Sequence, residues 1–222
     1  SNAAADVVYQ PQASYDDETF AALKANNYLL HRWNFNRNAR DSVGESDALF
    51  HGNVAYSGNT SVSLSGGNFG ASWIDLGANA IPATAGDAPF TIEMWTTLHS
   101  RTTWGEAFSF GSARPSGNIM VGATGIIFTY NNSSSLPSFL PCGLNDTSYQ
   151  VATSQIALGK EYHLAIVVVP DGAGGANVTC YMHDAATGEL FGKATQTLAN
   201  WTTSRIVQNY FWLGHSLWNR SS

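Results

Sequence analysis

The segment YHLAIVVVPDGAGGANVTCYMH, Tyr162 to His183, decides the fold class. Tyr162 to Val169 is an apolar run of strand length, rich in β-branched residues and too short for a helix. Pro170-Asp171-Gly172 supplies turn chemistry, and Gly172-Ala173-Gly174-Gly175 prolongs it with no helix following. Beyond the turn Val178, Cys180 and Met182 alternate with Thr179, Tyr181 and His183, the period of a half-buried strand. Strand, tight turn and strand make an antiparallel hairpin.

The same period of two recurs outward from this hairpin. Leu29, His31, Trp33 and Phe35 alternate with Leu30, Arg32 and Asn34 ahead of a polar loop, Asn36 to Gly44. Phe90, Ile92 and Met94 alternate with Thr91, Glu93 and Trp95. Further strands are expected at Trp73 to Leu76, Ala107 to Phe110, Ile119 to Gly122, Ile126 to Tyr130, Leu190 to Gln196 and Tyr210 to Gly214. Short strands with turn residues between them and no helical period predict an all-β protein, an antiparallel sandwich or barrel. One short N-terminal helix is the exception. Ser14 caps Ser14 to Asn27 with Asp17 three residues on, Asp16, Asp17 and Glu18 suit the positive end of its dipole, and Phe20 and Leu23 give a narrow apolar stripe.

With 222 residues, 44% of them apolar, the chain can bury one substantial core. Ten Lys and Arg against sixteen Asp and Glu leave a net charge of -6 and no basic stripe, which argues against nucleic acid as a partner. The longest apolar run, Leu164 to Val169, falls far short of the roughly 20 residues of a membrane span. Charged residues are only 12% of the chain, about half the usual share, and Ser, Thr, Asn and Gly fill the gap. That composition, with sequons at Asn59, Asn145, Asn177 and Asn200, points to a secreted or cell-surface protein. Ser1-Asn2-Ala3 reads as the remnant of a cleaved purification tag, residues 4–27 as an N-terminal segment, and 28–222 as the folded domain.

LLHRWNF at Leu29 to Phe35, followed by DSVG at Asp41 to Gly44, resembles the opening of laminin-G-like jelly rolls in the concanavalin A-like lectin/glucanase superfamily. FTIEMW at Phe90 to Trp95, FSFG at Phe108 to Gly111, EYHLAIVV at Glu161 to Val168, VTCYMHD at Val178 to Asp184 and FWLGHSLW at Phe211 to Trp218 resemble later segments in the same order. The resemblance implies a jelly roll of two curved sheets, with rim loops that bind sugars, glycans or proteins, in some members through calcium. Such jelly rolls continue past the segment matched by FWLGHSLW into a final strand beside the opening one. The resemblance therefore implies C-terminal truncation at Ser222. Leu29 to Phe35 then lacks a neighbour, unless Val7 to Ser14 or a second copy fills the place.

A retaining glycosidase needs two carboxylates about 5 Å apart. Glu93, the nearest candidate, is followed on its face by Trp95, Thr97 and His99, and Asp16-Asp17-Glu18 lies on the expected helix. There is no Gly-x-Ser-x-Gly elbow, no His-Glu-x-x-His helix and no phosphate loop. His31, His51, His99, His163, His183 and His215 are scattered singly, leaving open only a lyase whose His and Tyr meet in three dimensions. Asp41, Glu45 and Asp47 offer oxygens to a calcium ion, with Asp41 as a turn-forming residue the competing reading.

Sugar binding needs flat aromatic faces flanked by hydroxyl-satisfying groups. Trp104, Tyr130 and Trp201 are the candidates, with Phe139 and Tyr149 as further loop aromatics; Trp33, Trp73, Trp95, Trp212 and Trp218 read as core. The two cysteines, Cys142 and Cys180, pair as a disulfide in an oxidising compartment or stay as two thiols; closing a loop of about 38 residues would stabilise by about 4 kcal/mol. The function expected is an extracellular module that binds a polysaccharide, a glycoprotein or another protein partner without catalysis. A glucanase or lyase, and a spacer domain, are the alternatives.

Overall fold

The computed structural model describes residues 22–23, 25–26, 29–65, 72–78, 80–81, 88–112, 124–143, 147–206 and 209–216. Its strands are β1 (Leu49–Gly52), β2 (Val54–Ser57), β3 (Ser61–Leu64), β4 (Ser72–Asp75), β5 (Phe90–Thr97), β6 (Glu106–Ser112), β7 (Thr124–Thr129), β8 (Ser138–Cys142), β9 (Tyr149–Gln150), β10 (Glu161–Pro170), β11 (Ala176–Asp184), β12 (Leu190–Leu198) and β13 (Tyr210–Leu213). One sheet has seven strands in the order β1-β4-β13-β6-β7-β8-β9, the other four in the order β12-β11-β10-β5, and β2 with β3 forms a separate hairpin. All pairings are antiparallel, and the chain passes between sheets four times, giving the expected two-sheet jelly-roll sandwich.

The β10–β11 hairpin shows why these residues fold so. Leu164 lies opposite Met182 and Ile166 opposite Cys180, and all four point into the sandwich with at most 1% of their surface exposed. Ile74, Phe108, Phe110, Ile126, Phe128 and Phe211 meet them from the larger sheet. Each such side chain contributes about 1.5–3 kcal/mol through burial. Gly111 and Gly125 stand opposite each other on β6 and β7 with φ of +145° and +153°. A Cβ on Gly111 would lie 1.9 Å from the Thr124 carbonyl oxygen, so only glycine permits this approach of the two strands.

Leu29 to Phe35 is not the opening strand its alternation suggests. It makes a single bridge, Trp33 to Asp41, and Phe35 and Arg37 turn the chain with φ of +49° and +53°. Of the helix expected over Ser14 to Asn27, only Ala22, Leu23, Ala25 and Asn26 are described, and the Asn26 N–H donates to the Ala22 carbonyl at 3.1 Å. Ile119 to Gly122, Val7 to Ser14 and Ser1 to Ala3 lie outside the described residues.

β8 has no alternation to detect because both its faces are covered. Phe139 enters the sandwich, while Leu140 and Cys142 join Ile127 in a small cluster on the sheet's other face. Pro141 is tolerated because β9 pairs with β8 only at Ser138 and Phe139, so no strand asks for its missing N–H. The disulfide is corrected for the same reason. Cys142 lies outside the larger sheet and Cys180 between the sheets, and both are buried free thiols. Burial pushes the Cys180 thiol well above its ordinary pKa.

Candidate functional site: the outer face of the larger sheet

Strand pairing assembles the outer face of the seven-stranded sheet row by row. Leu49, Asp75, Trp212, Ser109, Ile127 and Leu140 are successive cross-strand neighbours on β1, β4, β13, β6, β7 and β8. One step along the strands, His51 faces Trp73. From these positions rises a continuous ribbon of rings. His51 stacks on Trp73 at 4.3 Å and 5°, and Trp73 meets His215 at 4.8 Å and 51°. His215 stacks on Trp212 at 4.5 Å and 16°, and Trp212 meets Tyr210 at 4.3 Å and 35°. Every one of these rings keeps part of its surface in solvent, Tyr210 with 36% exposed.

His215 reaches this face because of a backbone turn. Strict alternation from Trp212 would send residue 215 inward, but Gly214 adopts φ +74° and re-aims the chain. The Gly214 N–H still donates to the Ala107 carbonyl at 3.0 Å, so the end of β13 stays bonded to β6. Glu106 then fastens the turn: Ser216 Oγ donates to its Oε1 at 2.7 Å, and Ser109 Oγ donates to Oε2. The Ser216 N–H donates to His215 Nδ1 at 2.9 Å. Burial, and then repulsion from His51, hold the His215 imidazole below its ordinary pKa. Asp75 and Glu106 are the charged residues facing outward, with no lysine or arginine among the described outward positions of the seven strands.

Of the three aromatics singled out in the sequence, one belongs here. Trp104 is half-buried and packs with Trp212 against Ile127, Leu140 and Cys142. Its φ of +62° is a strained conformation for a bulky residue, and its N–H donates to the Asn131 carbonyl at 2.6 Å. Tyr130 is corrected only as to place: half-buried, it lines the cleft beside β5 and not this face, its hydroxyl pairs with Thr96 Oγ1 of the opposite sheet, and burial pushes its pKa up to about 12. Trp201 is corrected as well. It has no exposed surface, and its indole N–H donates to the Cys142 carbonyl at 3.2 Å. The ribbon residues His51, Trp73, Tyr210, Trp212 and His215, with Glu106, were not recognisable as a site in the sequence.

The loop proposed for calcium is built around an acceptor already in use. Asp41 Oδ1 accepts the N–H groups of Arg32, Val43 and Gly44 at 3.0–3.1 Å, while Oδ2 accepts Ser46 N–H at 3.3 Å and faces His31 Nδ1 at 2.5 Å. Asp47 Oδ1 accepts the Asp41 N–H at 3.0 Å, and Glu45 is exposed. Among the described residues no group of three His, Cys, Asp or Glu side chains is placed to hold a metal ion.

Glu93 sits on the outer face of the smaller sheet, 3.9 Å from His163 Nε2, and its row continues through Ala165 and Tyr181 without a second carboxylate. An open cleft beside β5 and residues 29–36 is lined in part by Trp104, Glu106, His215 and Ser216. His51, Trp73, Trp212 and His215 are half-buried and Tyr210 is exposed, while Ser109, Ile127 and Leu140 in the neighbouring outward row are buried.

No family model matches the sequence, and no curated protein matches it. Among solved structures, peanut lectin with a nine-residue peptide is similar at a TM-score of 0.49 and 12% identity, over 80% of this chain and 88% of that one. Lectin II of Ulex europaeus is similar at 0.43 and 10%, over 77% and 86%. The alginate lyase Aly36B is similar at 0.37 and 14%, over 94% and 83%.

Proposed function

We propose that this domain is a non-catalytic glycan-binding module that lays a neutral sugar chain along the ribbon from His51 to Tyr210. The single observation behind the reading is that five rings, four from β1, β4 and β13 and one from the turn after β13, lie in unbroken contact on one half-exposed face. Pyranose rings present C–H faces that pack on such surfaces, while Asp75 and the imidazoles satisfy hydroxyls at the margin. Asp75 and Glu106 would repel uronate or sulfate groups at neutral pH, which favours a neutral polysaccharide or glycoprotein glycan. We also place the module outside the cell, in keeping with its low charge and its several sequons.

Catalysis is less well supported. A lyase needs a His and a Tyr at one carbon and a cation for the uronate carboxylate; His215 and Tyr210 share the face, but the Trp212 ring lies between them. A glucanase needs two carboxylates closer than Asp75 and Glu106, whose strands are two ladder spacings apart, about 10 Å. The test is a glycan array followed by calorimetric titration of the best neutral oligosaccharide. Trp212→Ala and Trp73→Ala should each weaken binding about tenfold or more. Binding to no glycan, or binding unaffected by both substitutions, refutes the proposal.

A further inference from the structure

We infer that His215 is the specificity-determining hydrogen-bond donor of the ribbon, held as the neutral Nε2–H tautomer so that its Nε2–H meets an acceptor oxygen of the bound sugar. The inference rests on the glycan-binding reading above and names the group that reads the ligand. The Ser216 N–H donates to Nδ1 at 2.9 Å, so Nδ1 must keep its lone pair and the ring proton belongs on Nε2. Trp212, stacked at 16°, and Trp73, tilted at 51°, pack against the ring and restrict its orientation. Glu106 anchors the turn through the Ser216 hydroxyl and so acts as a positioning residue. Among the described residues no acceptor takes the Nε2–H, which leaves that donor for a ligand.

Protonation at Nδ1 would set a second donor against the Ser216 N–H and break this arrangement. The groups around the imidazole pull in both directions. His51 on β1 and burial oppose the imidazolium; Asp75 on β4, Glu106 on β6 and the indole faces of Trp73 and Trp212 favour it. Tyr210 is the remaining titratable side chain of the ribbon on β13. The Nδ1 contact is a geometric constraint that only the neutral ring meets, so the neutral form prevails near pH 7 and is lost only as pH falls below His215's ordinary 6.5.

Long-range 1H–15N NMR on the labelled full chain reads the tautomer without any ligand. The expected result is Nε2–H with an unprotonated Nδ1 at pH 7, and titration below pH 6.5. A Nδ1–H tautomer or an imidazolium persisting at pH 7 overturns the inference. Calorimetry with cellohexaose and mannohexaose from pH 5 to pH 8 then reads the donor. Affinity should fall about threefold to tenfold in His215→Phe, which keeps the stack and loses the N–H. His215→Phe should also flatten the acid limb of the pH profile, and a variant that binds like the wild type with the same profile overturns the donor role. If neither hexasaccharide nor any glycan of the array binds while the tautomer is as stated, the glycan-binding reading has failed and the donor role with it, but the tautomer assignment stands.

Discussion

Asp41→Asn isolates the contribution of one carboxylate to the loop that opens the domain. The Asp41 side chain has no exposed surface, so its hydrogen bonds are not discounted by solvent. An Asn at this position keeps one oxygen for the N–H groups of Arg32, Val43 and Gly44. Its amide nitrogen replaces Oδ2, turning a donor toward the Ser46 N–H and ending the charge-assisted contact with His31. Losing one charge-assisted bond and setting donor against donor costs about 2–3 kcal/mol. For a chain of this length that is a fall in Tm of about 4–12 °C.

The pH dependence gives a second handle on the same group. Burial raises the Asp41 pKa, but the bonds from Arg32, His31, Gly44 and Val43 outweigh it, and the net shift is downward from 3.8. A depressed carboxylate contributes stability that is present above the unfolded pKa and is lost as pH falls through the folded value. The Tm gap between wild type and Asp41→Asn should therefore hold from pH 7 to about pH 4 and close below it. Differential scanning calorimetry with and without EDTA measures this. A gap under about 1 °C, or a wild-type Tm that drops in EDTA, would show that something other than backbone N–H groups holds the loop.

Ellman's reagent should find no reactive thiol in the native protein and two per chain in guanidinium, whereas a disulfide would give none in either. Gly111→Ala should cost at least about 3 kcal/mol in urea unfolding, because its methyl group meets the Thr124 carbonyl; a normal midpoint would contradict the backbone approach described. β5 pairs only with β10 among the described strands. Alternate β5 amides should then exchange with deuterium far faster than those of β10 and β11, and uniform protection along β5 would place another strand against that edge.

The sandwich was legible because its inward residues repeat with period two and are separated by turn residues. The β10–β11 hairpin, β5, β6, β7 and β12 all lie where Leu164, Ile92, Phe108, Ile126 and their alternating neighbours put them. Leu29 to Phe35 has the same alternation and forms no ladder, since a strand is completed only by a partner along its edge, and its residues contain no information about that partner. β8 shows the converse. Buried on both faces and carrying Pro141, it has the composition of a loop and the environment of a central strand.

The ribbon eluded the sequence for two separate physical reasons. Trp73 and Trp212 are 139 positions apart and come together only because β13 returns to lie between β4 and β6, so the property that makes them a site is topological. A tryptophan in a strand is read as core because alternation assigns it a face without saying which face is covered. Here the covered face belongs to Phe211 and Ile74, and the tryptophans take the other. His215 adds a change of parity: by counting from Trp212 it belongs inside, and one left-handed glycine moves it outside. Trp104 was legible for the opposite reason, since a tryptophan between Thr103 and Gly105 has no strand to belong to. The readable part of the site is therefore its margin at Trp104, although the same loop reading fails at Trp201, which the fold buries completely. The site's centre depends on which strands become neighbours and on a single φ angle at Gly214, and a substitution there would move His215 off the ribbon without altering any ring in it.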